Sequence, residues 1–237
     1  MIRSIIIVAM LSALAVGCSS HSSPTSLSPS RLSVATGLME ADYPTQRLFR
    51  VRFDGPTGRG SFKMILRLAG PERYQLTAAD ALGRSLWAAD YEATRFHFID
   101  FRRALECHSG KAFPLSDVPL RSLPITALPA VLLGRLPGQL VATGSRGETK
   151  SYVDSEGRRW TVEEAAEGGV ASWTLWLGGK PVLWFRQLEQ ESVLSHPEGS
   201  QFRWRQVVVE ASETALETIT PPPGVQNVDC ELLSYLR

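Results

Sequence analysis

The chain contains few residues of the types that most catalytic, metal and nucleic-acid sites use. Its 237 residues include three cysteines and four histidines, and 25 Lys and Arg balance 24 Asp and Glu to a formal net charge of +1. Nucleic-acid binding needs a concentrated basic surface, so this balance argues against such a partner. No long apolar run occurs in the middle of the chain, which excludes a membrane-spanning helix there.

Sequence motifs of common catalytic sites are also missing. There is no G-x-S-x-G nucleophile elbow, and the glycine-rich segment 58–61 lacks the lysine of a phosphate-binding loop. Cys107, His108 and Cys230 are the candidate metal ligands. Adjacent strand residues point to opposite faces, so we expect no metal site from Cys107 and His108. The sequence therefore favours a non-enzymatic protein.

The N-terminus has the pattern of an exported lipoprotein. Arg3 precedes an uncharged apolar run, Ile5–Val16, which has the length of a signal-peptide core and is too short for a membrane span. The segment Leu14–Cys18 resembles the lipobox of bacterial lipoproteins, whose cysteine becomes the acylated first residue of the mature chain. We expect residues 1–17 to be a signal peptide and Cys18 to carry an acyl anchor, with no other cofactor.

The segment after the cysteine is typical of a tether. Residues 18–31 consist largely of Ser, Thr and Pro, which cannot bury apolar surface and favour a flexible chain. Ser19 stands where an aspartate is the usual signal for inner-membrane retention in bacterial lipoproteins. The resemblance therefore implies the outer membrane, with the protein facing the periplasm. In this oxidising compartment, Cys107 and Cys230 are either a disulfide or two free thiols.

From Gln46 onward, apolar residues recur at every second position. In the first such stretch Phe49, Val51 and Phe53 alternate with Arg50 and Arg52, which predicts a strand with one buried and one solvated face. Further strands are predicted around 62–68, 74–78, 86–89, 96–98, 152–153, 160–162, 173–177, 182–188 and 202–208.

Two helical segments and one turn complete the predicted organisation. A proline-punctuated, leucine-rich segment, Leu120–Leu136, predicts short helices between two meanders of strands. A short helix is also predicted over Leu32–Ala41, and Gly178–Lys180 is a hairpin turn. We expect residues 32–237 to form one mainly β (α+β) domain, in which a single curled antiparallel sheet carries helices on one side.

Several short segments in succession resemble the LolB family of outer-membrane lipoproteins. These segments are Arg73–Leu76, Asp80–Gly83, Val118–Leu120, Ser122–Leu123 and Leu133–Gly138. The resemblance implies an incomplete β-barrel, closed by short helices, that encloses an apolar cavity for acyl chains. It also implies three partners: acylated lipoproteins, a periplasmic LolA-type carrier and outer-membrane lipid.

The resemblance extends to individual residues. Leu82 matches a leucine on a strand-connecting loop that assists membrane insertion, and the alternative is a turn residue folded back on the core. The candidates for the cavity lining are Phe62, Met64, Leu66, Phe96 and Phe98, and their alternative is simple core packing. Two other functions remain open: a structural or assembly lipoprotein that binds a partner protein or another lipid, and an exported enzyme with a polar cleft.

Overall fold

The strand periodicity of the sequence produces one large curled sheet. The computed structural model describes residues 37–39, 42–56, 58–108, 110, 113–115, 119–166, 169–211 and 216–233, all within the compact unit Arg31–Arg237. The predicted signal peptide, Cys18, the tether and most of the predicted Leu32–Ala41 helix lie outside these residues.

Strands account for most of the secondary structure in the described part of the chain. In chain order they are β1 (Thr45–Gly55), β2 (Gly58–Gly70), β3 (Arg73–Ala79), β4 (Ser85–Glu92), β5 (Arg95–Asp100), β6 (Leu105–His108), β7 (Val141–Arg146), β8 (Thr149–Val153), β9 (Arg159–Glu164), β10 (Val170–Leu177), β11 (Lys180–Gln187), β12 (Ser192–Ser195), β13 (Gln201–Ala211) and β14 (Gln226–Asn227).

The sheet consists of two meanders joined at its centre. Its strand order is β14-β6-β5-β4-β3-β2-β1-β13-β12-β11-β10-β9-β8-β7, so β1 pairs with β13 and links the two halves. All neighbouring strands are antiparallel except β14 and β6. Because β14 and β7 are edges that do not pair with each other, the sheet is an incomplete barrel, as the resemblance to the LolB family implied.

The predicted alternation sets the direction of the side chains in β1. Phe49 and Val51 are buried, whereas Arg50 and Arg52 are exposed on the other face. In β11 the strand prediction was right, but the sequence does not indicate which face of the strand is buried. Leu183 and Phe185 enter the core, while Trp184 is 37% exposed. Residues 182–185 are all apolar, so no polar residue marks the solvent face of this strand.

Prolines break the predicted helical segment into short pieces that cover the core. The pieces are 3-10 turns at Pro119–Ser122 and Ile125–Ala127 and the helix α1 (Leu128–Leu132). The Tyr74 hydroxyl donates to the carbonyl of Ile125 at 2.8 Å, and Trp204 Nε1 donates to that of Leu132 at 2.9 Å. The helical segment therefore hydrogen-bonds to both meanders, and these buried carbonyls are satisfied.

Two further connections hold the ends of the domain. Cys107 in β6 forms a disulfide with Cys230 in the helix α2 (Cys230–Leu233), across 123 residues of sequence. Buried Asp42 accepts hydrogen bonds from Arg47 and from both terminal nitrogens of Arg135. Among the described residues, no helix is long and apolar enough to span a membrane.

Candidate functional site

A five-residue turn between β3 and β4 displays Leu82 at its tip. One carboxylate oxygen of Asp80 accepts the backbone N–H groups of Leu82 and Arg84, both at 2.9 Å. The other oxygen accepts Arg84 Nε at 2.7 Å. Gly83 follows the tip with φ +79°, a conformation that glycine adopts at no steric cost. The turn is therefore braced by a side chain of its own.

This bracing keeps Leu82 away from the core. The side chain is 79% exposed, although leucine gains free energy from burial. The hydrogen bond from the Arg84 backbone is the largest influence that lowers the pKa of Asp80, so the bracing carboxylate is ionised at neutral pH. Of the two interpretations of Leu82, the structure contains the exposed residue, not one folded back on the core.

An apolar cleft adjoins the turn and has a volume of about 430 Å³. This volume is within the range typical of small-ligand sites, about 300–1,000 Å³. Asp80, Arg59, Arg102 and Arg103 are the charged residues in its lining. Its apolar lining comes from both meanders and from the segment before α1, and consists of Phe53, Phe62, Leu86, Trp87, Leu115, Leu120 and Phe202.

Three aromatic rings in the lining of the cleft pack against one another. The Phe62 ring lies 6.2 Å from Trp87 and 6.1 Å from Phe202, measured between centroids. Trp87 in turn packs against Phe113 at 5.1 Å. Phe62 remains only partly buried, so an apolar ligand in the cleft would contact its ring. Such contact removes apolar surface from water without any polar partner, which suits a hydrocarbon chain.

The five residues predicted to line a cavity have different positions in the structure. Phe62 lines the cleft. Met64, Leu66 and Phe98 have no exposed surface and Phe96 has 2%, and all four belong to the hydrophobic core. These four are candidates for a ligand contact only if the core opens. Partly exposed residues at the edge of the core, such as Phe62, are better placed to contact a ligand.

A larger surface groove, about 810 Å³, shares Phe62 with the cleft but has more charged residues in its lining. Its apolar lining consists of Val51, Phe62, Ala81, Leu188 and Trp204. Its charged lining consists of Arg50, Arg52, Lys63, Arg203, Arg205, Glu189 and Glu191. An acyl chain buried in this groove would desolvate more charges than one in the smaller cleft, which has four charged residues in its lining against seven here. We therefore regard the smaller apolar cleft as the candidate functional site.

A second copy of the Leu82 turn, which was not identified from the sequence, occurs later in the chain. The segment Asp154–Arg158 joins β8 to β9 and repeats the pattern Asp-x-x-Gly-Arg of Asp80–Arg84. Aligning the residues between consecutive strands would have revealed it. The second turn has Glu156 at the position of Leu82, and none of its residues lines the cleft.

Comparison with known proteins finds similarity in structure alone. No protein-family profile and no curated protein matches the chain. A LolA superfamily protein from Nitrosomonas europaea matches with a TM-score of 0.50 and 8% sequence identity. The match covers 72% of this chain and 87% of that one.

Two other solved structures match less closely. For a DUF1329 family protein from Desulfovibrio piger, the TM-score is 0.49 at 8% identity, over 73% of this chain and 87% of that chain. An outer membrane lipoprotein-sorting protein domain from Vibrio parahaemolyticus has a TM-score of 0.43 at 7% identity, with 73% and 86% covered. The chain has a LolA/LolB-like fold, as the sequence resemblance predicted.

Proposed function

We propose that this chain is an outer-membrane lipoprotein, anchored through Cys18 and facing the periplasm, that passes other lipoproteins into the outer membrane. It receives acylated lipoproteins from a LolA-type periplasmic carrier and binds their acyl chains in the apolar cleft. Leu82 then enters the lipid and starts the insertion. No bond is made or broken, so the protein acts by binding and requires no cofactor.

One observation carries this proposal: a strongly exposed leucine on a braced turn whose Asp80 also borders an apolar cleft. A leucine inserted into lipid gains about 1.5–3 kcal/mol relative to water. The adjoining cleft shortens the path of an acyl chain between protein and membrane. The LolA/LolB-like fold agrees with this function but does not by itself specify it.

The physical requirement for such transfer is modest. An acyl chain that moves from one apolar pocket to another, and then to lipid, never exposes its full surface to water. The direction is then set by differences in affinity between carrier, cleft and membrane, and no external energy source is needed at this step. Partly exposed side chains around the cleft favour release as well as binding.

The test uses the fragment 31–237, which contains the whole described sheet and its core. We would mix it with a LolA carrier loaded with an acylated lipoprotein, with an unacylated version of the same cargo as control. We expect only the acylated cargo to move onto the fragment. Equal behaviour of the two cargoes, with a folded fragment, would contradict acyl-chain binding.

The role of Leu82 is tested separately with phosphatidylethanolamine and phosphatidylglycerol vesicles. The Leu82→Glu variant should accept cargo normally but fail to deliver it to the vesicles. The matched control is Glu156→Leu, which alters the equivalent position of the second turn and should leave delivery unchanged. Normal delivery by Leu82→Glu would remove this residue from the mechanism.

An alternative function as a structural or assembly lipoprotein is favoured by one specific surface. Val207, Val208 and Val209 in β13 are 43%, 36% and 49% exposed, and exposed apolar side chains suit contact with a partner protein. Replacing Val207 and Val209 with serine should not affect acyl-dependent transfer. A variant that keeps acyl-dependent transfer in vitro but no longer supports growth of cells that depend on this protein would favour partner binding instead.

A further inference from the structure

Two neighbouring strands, β5 and β6, bring two histidines and a glutamate together on one face of the sheet. His97 and His108 are direct partners in the register of these strands. Glu106 precedes His108 by two residues and therefore projects from the same face. Cys107, between them, points to the other face and forms the disulfide with Cys230. The alternation that separates Cys107 from His108 thus places Glu106 beside His108.

The spacing of the three side chains suits a single metal ion. Glu106 Oε2 lies 3.1 Å from His97 Nε2 and 3.8 Å from His108 Nε2. One ligand atom from each residue falls within 4.8 Å of the others. Bonds of about 2.0–2.1 Å at tetrahedral angles would put ligand atoms about 3.3 Å apart, and the two distances from Glu106 bracket this value.

The donor set indicates which ion would bind. Two imidazoles and one carboxylate are typical ligands of zinc, whereas calcium and magnesium prefer oxygen ligands alone. The side chains of His97 and Glu106 are 19% and 17% exposed and that of His108 is 49% exposed. An incoming ion therefore has access from solvent, and a water molecule has room to be the fourth ligand.

We propose that His97, Glu106 and His108 form a zinc-binding site on the outer face of β5 and β6. The two imidazole rings are stacked, with centroids 4.3 Å apart and planes 8° from parallel. Binding requires the rings to tilt so that their Nε2 atoms converge, and the half-exposed ring of His108 has room to do so. Asp90 in β4 is the other register partner of His97, which places a carboxylate next to this ligand.

The site lies where a metal ion would reinforce the fold. β6 is fastened on its far side by the parallel strand β14 and by the disulfide, but it has only four residues. A zinc ion held by both β5 and β6 would cross-link these strands independently of the disulfide. Because the ion binds the folded chain, zinc should raise the thermal unfolding temperature.

The experiment uses the full chain in detergent micelles, oxidised and without a polyhistidine tag. Zinc chloride is titrated by calorimetry, and cobalt chloride is titrated by visible absorption, which reports tetrahedral coordination. We expect one ion per chain. His108→Gln should weaken zinc binding by about tenfold or more, and the double variant His97→Gln with His108→Gln should abolish it.

The matched control is His196→Gln. His196 lies 3.7 Å from Glu198, so it is also a histidine beside a carboxylate, but no second histidine joins it among the described residues. This variant should bind zinc like the unmodified chain. The proposal is overturned if the unmodified chain does not bind zinc, or if the double variant binds it equally well. Circular dichroism of each variant confirms that the sheet is retained.

Discussion

The two Asp-x-x-Gly-Arg turns have the same backbone hydrogen bonds but differ at the third residue, which is apolar Leu82 in one and charged Glu156 in the other. Asp154 accepts the N–H groups of Glu156 and Arg158 at 3.0 and 2.9 Å and Arg158 Nε at 2.7 Å, the same set of bonds that Asp80 makes. The glycines also agree, with φ +79° at Gly83 and +75° at Gly157. This geometry therefore accepts either a leucine or a glutamate at its tip.

The surroundings of the two turns differ. Glu156 pairs with Arg158 at 3.0 Å, as a residue in contact with solvent commonly does, whereas Leu82 is 79% exposed. Asp154 also accepts Trp160 Nε1 at 3.0 Å and thereby ties its turn to the core. Thus the second turn serves the stability of the fold. The first exposes an apolar residue that stability does not require.

The largest effect is expected from exchanging the two tips. In a chain with Leu82→Glu and Glu156→Leu, vesicle association should move to the second turn, but cargo delivery should stay lost because no residue of that turn lines the cleft. The loss of one inserted leucine, about 1.5–3 kcal/mol, corresponds to a tenfold or larger drop in delivery. Delivery rates with loaded vesicles measure this, and recovery of delivery would show that the cleft is not needed.

A difference in stability is expected when the two aspartates are removed. Asp154→Ala leaves the indole N–H of fully buried Trp160 without its acceptor, which costs about 1–3 kcal/mol in the free energy of unfolding. Asp80→Ala should destabilise the fragment 31–237 less, because within the described part of the chain Asp80 bonds only to residues of its own turn. Urea denaturation of both variants checks the order. The reverse order would contradict the assigned roles.

Replacing the glycine of either turn with alanine should lower stability by the same amount, and by less than Asp154→Ala does. An added Cβ at Gly83 or Gly157 has no atom within 4 Å, so alanine costs only the strain of a positive φ. That strain is about 1–2 kcal/mol at each position. Thermal unfolding of Gly83→Ala and Gly157→Ala should therefore give similar shifts. Clearly different shifts would show that the two backbones are not equivalent.

The smallest effect on stability is expected when acid protonates the two aspartates of the turns. The pKa of Asp80 is lowered from 3.8, chiefly by the Arg84 backbone hydrogen bond. Burial acts to raise the pKa of Asp154, but the hydrogen bonds from Trp160 and Arg158 outweigh it, so this pKa is also lowered. Because both folded-state values are lowered, the stabilisation is complete above the ordinary pKa and is lost as the pH falls through the lowered one. Carboxyl-carbon NMR titrations should place both midpoints below 3.8.

Much of the sheet was predictable because its strands alternate between apolar and charged residues. The buried and exposed faces of β1 follow directly from Phe49–Phe53. The alternation fails where polar markers are missing, as in β11. It also fails in β7, where all six residues are exposed and carry no apolar periodicity. In that strand, backbone pairing with β8 decides the structure.

The candidate site was predictable only in part. Leu82 was identified by resemblance and Phe62 by alternation, but the exposure of the one and the position of the other in a cleft depend on distant segments. Leu115 and Phe202 both line the cleft although they are far apart in the sequence. Their spacing in the sequence carries no signal of this contact, since it arises when the sheet curls.

The amino-acid sequence alone determined the strand periodicity, the proline-limited helical segment and the composition of both turns, because these depend on neighbouring residues. The tertiary structure decided which residues distant in the sequence come into contact. Curling of the sheet created the cleft next to Leu82, and the pairing of Cys107 with Cys230 joined residues 123 positions apart. The register of β5 against β6 brought His97 to Glu106 and His108. Such contacts depend on register and curvature, which are set by the packing of the whole core and not by any local segment.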